Sequence, residues 1–389
     1  MSMSGASPGP GTLAALDHAG RLERVRADLT DGPVGVLTEG PVEGLLVTSL
    51  TNIRWLTGFT GSNGWVVLAG DDLVLITDGR YGDQAREQMD HAGVDGRILV
   101  GSTRSAMTDH LATVTHHCGV LGFEGAHISF ADHAALSAAV GGSWIPTSDV
   151  IENHRRTKDQ GEIDRMARAA AIADEALAAT LALLGAEPAE SEFRDALESS
   201  MRQLGADGPS FETIVAAGAN ASLPHHHPDS TRIVEGMTVV VDFGALFDGY
   251  HSDMTRTYTI GDPTPLQAEV YRVVLEAQAA GVAAVMANAR GRALDGICRD
   301  HIAAAGWGEW FTHGTGHGVG LAIHESPWLT HSYDDQLQVA DVVTVEPGVY
   351  RRDFGGVRIE DMVVVTTNGC QPLTKTPKDS TWLPSPPTI

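Results

Sequence analysis

Cysteine and positive charge are both scarce in this chain of 389 residues. The three cysteines, Cys118, Cys298 and Cys370, are too few and too widely spaced for a disulfide framework or a zinc knuckle. Lys and Arg together number 26 against 50 Asp and Glu, a formal charge of -24. That balance argues against nucleic acid or an anionic membrane as the main partner, and most of the acids are read as a solvated surface. Uninterrupted apolar runs fall short of the roughly 18 residues that a membrane helix needs. The first dozen residues, rich in Ser, Gly and Pro, lack the basic-then-apolar pattern of a signal peptide. Residues 1–12 are expected to be disordered and the protein to be cytoplasmic.

What is present is an ordinary globular mixture, 42% hydrophobic and 20% charged, long enough for two domains. Short apolar runs at 44–49, 65–69, 73–77, 98–100 and 120–123 alternate with helix-like stretches such as 13–29 and 82–92. That order predicts an α/β domain over 13–152 with a mostly buried sheet. The segment 151–159 is polar and marks a boundary. A second domain, 158–389, opens with a helix whose apolar face is Ile163, Met166, Ala170, Ala173, Leu177, Leu181 and Leu184, ending near Gly185. A second helix spans 191–204, and strand-like runs follow at 211–217, 237–245 and 254–260. Helices at 266–289 and 294–305 and a β region at 341–366 repeat that order.

The repeat reaches individual residues. Val241-Asp242-Phe243-Gly244 and Val345-Glu346-Pro347-Gly348 each end an apolar run with Val, an acid, any residue and Gly. An ionised carboxylate after Val239-Val240-Val241 is costly unless a positive charge meets it. Asp248-Gly249 is a hairpin turn signal. That turn would set Asp242 opposite Thr255, with Asp253 its diagonal neighbour on the same face. The plainer alternative is one strand-end acid and one exposed turn acid. Glu346 and Glu360 flank a second turn, rich in Asp353, Gly355 and Gly356, and Arg358 shares the face of Glu360. Four carboxylates can converge from two ribbons only around divalent cations, because like charges would otherwise force protonation.

The run from His313 to Gly320 (HGTGHGVG) is too rich in glycine for a helix and predicts a tight loop or an extended segment approached closely by other backbone. His317 would add a nitrogen ligand to the carboxylates, flanked by His313 and His324. A lone histidine is ordinarily a surface or satisfied core residue, but three within a dozen positions beside so much glycine make that unexpected here. His225-His226-His227, between Pro224 and Pro228, reads as a His-rich loop too short for a metal-binding tract by itself.

Asp242, Asp253, His317, Glu346 and Glu360 resemble, in order and spacing, the five-ligand dinuclear site of the creatinase-like, pita-bread metallopeptidases, the family of methionine aminopeptidase, Xaa-Pro aminopeptidase and prolidase. The resemblance covers 158–373, and no ligand departs from the pattern. Leu223-Pro224-His225 and the stretch 318–327 (GVGLAIHESP) look like the proline-specific members. So do 51–64 (TNIRWLTGFTGSNG) and 77–81 (TDGRY), which look like bacterial Xaa-Pro peptidases. The resemblance implies a creatinase-like α/β domain followed by a pita-bread domain with pseudo-twofold symmetry. It implies two divalent ions, Mn²⁺ first, with Co²⁺, Zn²⁺ or Fe²⁺ as alternatives, and Asp242 or Glu360 as bridging ligand. Glu346 would be a ligand that also takes the proton of the attacking water. His313 and His324 would bind substrate and stabilise the tetrahedral intermediate, and His225 would bind near the scissile bond. Arg358 would orient a ligand carboxylate or hold a carbonyl or carboxylate of the substrate. The implied activity is release of the N-terminal residue from peptides with proline at the second position, by a homodimer or homotetramer. Prolidase, the same chemistry on dipeptides, is the nearest alternative. A metal-free creatinase-like hydrolase or a non-catalytic binding protein is more distant, since those lose ligands.

Overall fold

The computed structural model describes residues 13–31, 42–378 and 382–383; the stretch expected to be disordered, 1–12, lies outside them. The chain divides into two compact units, one of Ala15–Arg155 and the other of Arg156 onward together with the described residues before Ala15.

The first unit is a six-stranded mixed sheet of β1 (Gly44–Val47), β2 (Gly64–Ala69), β3 (Asp72–Asp78), β4 (Arg97–Gly101), β5 (Val120–Glu124) and β6 (Ser143–Thr147), in the order β4-β3-β2-β1-β5-β6. Only β2 runs antiparallel to its neighbours, and β1, β2 and β3 are almost wholly buried apolar residues, as a sheet covered on both faces requires. The stretch 51–64 contains an eight-residue helix, Leu50–Thr57, capped by Ser49 and closed by Gly58 in the left-handed region (φ 73°). Asn52 is fully buried in that helix. Its amide nitrogen donates to Glu124 Oε1 and Glu152 Oε1, both at 2.6 Å, and its oxygen accepts from Arg155 Nη1 at 2.9 Å. Glu124 Oε2 in turn accepts from the backbone of Thr48 and Ser49. One amide thus joins the helix start, the end of β5 and the last residues of the unit.

The second unit has two helix-pair-and-sheet layers. The helices Gln160–Thr180 and Glu190–Gln203 cover the sheet of Ile214–Ala217, Thr238–Phe243 and Met254–Ile260. The helices Pro265–Ala284 and Gly291–Ala304 cover the sheet of Gly316–Gly318, Glu325–Leu329, Val342–Val345, Asp361–Thr366 and Gly369–Pro372. This is the expected α/β architecture with two related halves. The first helix gives way to a 3₁₀ turn, Leu181–Ala186, so the break comes earlier than Gly185, after Thr180 bonds back to Ala176. By length and composition Gln160–Ala186 is apolar enough to cross a membrane. Its apolar residues Ile172, Ala173, Ala176, Leu177 and Leu184 are instead spent on the core under the first sheet.

Glu152 offers a measurable consequence of the Asn52 network. Burial pulls its carboxyl up, yet hydrogen bonds from His127 and Asn52 outweigh that and hold it at about 2, below its ordinary 4.5. A depressed folded-state value contributes stability that is complete above pH 4.5 and is lost as pH falls toward 2. Glu152→Gln should therefore cost about 1–3 kcal/mol at pH 7. Calorimetry of the full-length protein should show the difference from wild type shrinking below pH 4.5.

Candidate metal centre

Each half delivers its acids from the end of a buried strand and the beginning of its partner. In the first half Asp248 (φ 46°) and Gly249 (φ 73°) form the two-residue turn, flanked by the pair Phe247 and Tyr250. The register carries through to Asp242 opposite Thr255, as the turn predicts. In the second half Gly348 pairs with Arg358 and Val345 with Asp361, so Glu346 and Glu360 stand across from each other between the two ladders. The echoed glycines have a shared reason. A Cβ on Gly244 would lie 1.8 Å from Ser252 O, and one on Gly348 would lie 2.4 Å from the Tyr350 hydroxyl.

The glycine-rich run forms the short strand Gly316–Gly318, threaded between Glu325–Leu329 and Val342–Val345. A Cβ on Gly316 would sit 2.0 Å from Thr344 O. This close approach carries the His317 ring to the carboxylates, with Nε2 at 3.6 Å from Asp253 Oδ2 and 3.4 Å from Glu346 Oε1. His317 Nδ1 lies 3.0 Å from Gly318 O. A carbonyl only accepts, so the proton is on Nδ1 and Nε2 presents its lone pair. Burial first, then His324, holds the ring's pKa down at about 4, so it is neutral.

The five residues line one cavity of about 550 Å³, together with His225, His313, His324 and Arg358. Burial, followed by the charges of Glu360, Asp242 and Glu346, drives the Asp253 carboxyl well above the usual range. Burial raises Glu346 to about 8, with Arg358 opposing and Asp242 adding to the rise. Glu360 is pushed up by burial and then by Glu346 and Asp242. Arg358, itself buried, donates from Nη2 to Asp242 Oδ2 at 2.6 Å and from Nε to Thr255 Oγ1 at 3.0 Å, while Thr255 Oγ1 donates to Glu360 Oε2 at 2.7 Å. One guanidinium cannot offset four acids. Asp242 Oδ1 and Glu360 Oε1 are buried and accept no hydrogen bond. Donor atoms of Asp253, His317 and Glu360 lie within 4.8 Å of one another. Orphaned carboxylate oxygens, a neutral imidazole lone pair and raised carboxyl pKa values all fit bound divalent cations.

Among the described residues, His225 and His324 have no hydrogen-bond partner on the cavity wall, whereas His313 has two. His313 Nδ1 meets Gly314 O and its Nε2 meets the Tyr350 hydroxyl, both at 2.8 Å. Burial and then Arg358 lower His313 to about 4, so the ring is neutral and has no N–H to spare. Tyr350 also accepts from Arg358 Nη1 at 2.8 Å. The sequence reading did not single out Tyr350 or Thr255. Two-residue alternation from Glu346 through Gly348 would have pointed to Tyr350.

A buried cage of acids and one imidazole, opening on a histidine-lined cleft between two related halves, defines a metal-dependent hydrolase of pita-bread fold. The chain belongs to metallopeptidase family M24, which residues 164–367 match, and residues 35–157 match the creatinase/prolidase N-terminal domain. It is 41% identical to an uncharacterized peptidase, YqhT, of Bacillus subtilis strain 168, over 87% of this chain and 95% of that one. Among solved structures it is similar to the Xaa-Pro dipeptidase from Bacillus anthracis, with a TM-score of 0.88 and 37% identity over 94% of this chain and 100% of the other. It is also similar to the X-Pro aminopeptidase of Thermotoga maritima, with a TM-score of 0.81 and 32% identity over 88% and 97% of the two chains.

Two outcomes follow from the cage. Gly316→Ala should lose at least about tenfold in metal affinity, measured by titration with Mn²⁺, because its Cβ would drive the His317 strand off Thr344. Metal binding to the metal-free protein at pH 7 should release protons, because burial and mutual repulsion push Asp253, Glu346 and Glu360 toward their protonated forms without a cation. Calorimetry in buffers of different ionisation enthalpy would detect the release.

Proposed function

We propose that the protein is a two-metal Xaa-Pro aminopeptidase, releasing the residue before a proline from the N-terminus of peptides. The observation that carries this reading is the makeup of the cavity wall. Among the described residues that line the cavity Arg358 is the only Arg or Lys, and Asp242, Thr255 and Tyr350 already engage it. A dipeptide would bring a free carboxylate beside the proline with no uncommitted Arg or Lys to meet it. A longer peptide brings a neutral amide there. The prolidase reading is supported by the likeness to the Bacillus anthracis enzyme, and in it His225 or His324 would hold the carboxylate.

Asp242, Asp253, His317, Glu346 and Glu360 would hold the ions, and carboxylates with one imidazole suit Mn²⁺, with Co²⁺, Zn²⁺ or Fe²⁺ as alternatives. Divalent cations there supply Lewis acidity and lower the pKa of the attacking water. Glu346, with Oε1 3.3 Å from Thr344 Oγ1, takes the proton of that water. His225 and His324, whose ring nitrogens have no hydrogen-bond partner among the described residues, hold the substrate carbonyls and donate to the oxyanion. His313 acts through Tyr350, which it binds, rather than by donating an N–H. Arg358 holds the Asp242 carboxyl group in place, with Nη2 at 2.6 Å from Oδ2. Ile214, Phe211, Ile323 and Trp328 supply the apolar wall against which a proline ring packs. Proline leaves no N–H on the scissile amide, so shape has to substitute for a hydrogen bond. A cytoplasmic homodimer or homotetramer belongs to the same reading.

Mn²⁺-loaded protein should release the first residue from Xaa-Pro-Yaa tripeptides, and Glu346→Ala should lower kcat at least about a thousandfold. Cleavage confined to Xaa-Pro dipeptides would make the enzyme a prolidase instead.

A further inference from the structure

Among the carboxylates that the second unit buries outside the metal cage, Glu190 is one that the reaction does not use. Glu190, the first residue of the helix Glu190–Gln203, is wholly inaccessible to solvent. It meets no Lys or Arg in the hydrogen bonds it makes. Its partners are Ala217 N at 2.7 Å, Asn220 Nδ2 at 3.1 Å, His226 Nε2 at 2.7 Å and Asp229 N at 3.2 Å. Two of these precede the segment Leu223-Pro224-His225, and two follow it. The return leg is fastened to the same helix start, where Glu190 N donates to Thr231 O and Ser191 N to Asp229 O, both at 3.0 Å. Donor atoms of Glu190, His226 and Asp229 lie close enough together to suggest a metal site. The carboxylate is already saturated with donors, however, so the cluster is read as a clasp.

The clasp divides the labour of the three adjacent histidines. His226 is turned inward, its side chain 10% exposed, while His225 and His227 on either side are exposed and His227 pairs with Glu212. The chain turns at Pro224-His225, closed by His226 N donating to Leu223 O at 3.2 Å, so holding His226 fixes the turn that sets His225 on the cavity wall. A second hold acts from the cage side, where Arg358 Nη1 donates to Pro224 O at 3.3 Å. Among the described residues His225 itself has no hydrogen-bond partner that would orient it. Its position is inherited from the backbone on either side.

We propose that Glu190 and His226 are positioning residues, which set the substrate-binding His225 over the metal cage by clamping the loop that carries it. The proposal rests on the peptidase reading for its effect on turnover, and on geometry alone for its effect on the loop. Burying a carboxylate without a compensating cation is costly, and four hydrogen bonds to one loop repay that only by ordering it. Removing the clasp should therefore free the loop without touching any metal ligand.

The test uses the full-length, Mn²⁺-loaded protein with His226→Gln, Glu190→Gln, His225→Ala and the double variant His225→Ala/His226→Gln. Bound metal is counted in each, and amide exchange of residues 219–231 is measured along with turnover of a panel of Xaa-Pro and Xaa-Pro-Yaa peptides. Metal content should stay at the wild-type level, and exchange in 219–231 should quicken by about tenfold or more in His226→Gln. The same variant should lose about tenfold in kcat/KM, and should add nothing to the loss already caused by His225→Ala. Should Glu190→Gln fail to fold, His226→Gln carries the same comparison. Unchanged exchange across 219–231, loss of metal, or independent multiplication of the two losses would overturn the proposal. If the wild type cleaves no peptide of the panel, the peptidase reading fails, and the exchange data decide the clasp by themselves.

Discussion

Mutual repulsion among Asp242, Asp253, Glu346 and Glu360 is the constraint around which the second unit is organised. Four acids line a cavity with one guanidinium among them, and burial and neighbouring charge push three of the four toward protonation. Such a cluster is tolerable in two ways. The acids can take up protons and lose their charge, or cations can take the place of those protons. Arg358 pairs with one acid at 2.6 Å, and two buried oxygens are left without a donor. The centre is thus stable as built only in company with positive charge from outside the chain.

Bringing the acids together is the work of the duplicated architecture. Each half ends a buried strand with an acid, and each has a glycine two residues later, where a side chain would meet Ser252 O in the first half and the Tyr350 ring in the second. The halves are then tied across the cage. Glu360 N donates to Thr255 O, and Thr257 Oγ1 donates to Arg358 O. Behind Glu360 a second set of charges is fully compensated. Asp361 accepts from Arg256 and Gln278, and Lys378 pairs with it, so the pull of these partners overcomes burial and its carboxyl stays below the usual range. Adjacent residues therefore have opposite electrostatic fates, one satisfied by the protein and one left for a cation.

The histidines separate along the same line. His317 and His313 are each oriented by a backbone carbonyl at Nδ1, which fixes the tautomer, but only His317 keeps its Nε2 lone pair for the cage. His225 and His324, also on the cavity wall, have no hydrogen-bond partner among the described residues. Rings of one kind thus become ligand, orienting group and substrate contact according to what the surrounding backbone takes from them.

Much of this was legible in the residues alone, because the signals were local. Runs such as Val239-Val240-Val241, the Asp248-Gly249 turn and the glycines around His317 each have a direct conformational meaning, and they correctly set Asp242 opposite Thr255. The helix ends were less legible: the first helix of the second unit passes into a 3₁₀ turn at Leu181, decided by a side-chain bond to the preceding turn. Tyr350 and Glu190 escaped notice because nothing adjacent in sequence marks them. Their meaning comes from partners far along the chain, His313 37 residues away and His226 36 residues away. The sequence by itself determined the strand-end acids, the turns and the metal-type donor set, which depend on neighbours within a few residues. Tertiary structure alone decided which nitrogen each histidine presents, which oxygens lack donors and which arginine contacts are already committed, because hydrogen-bond saturation is a property of the assembled pocket.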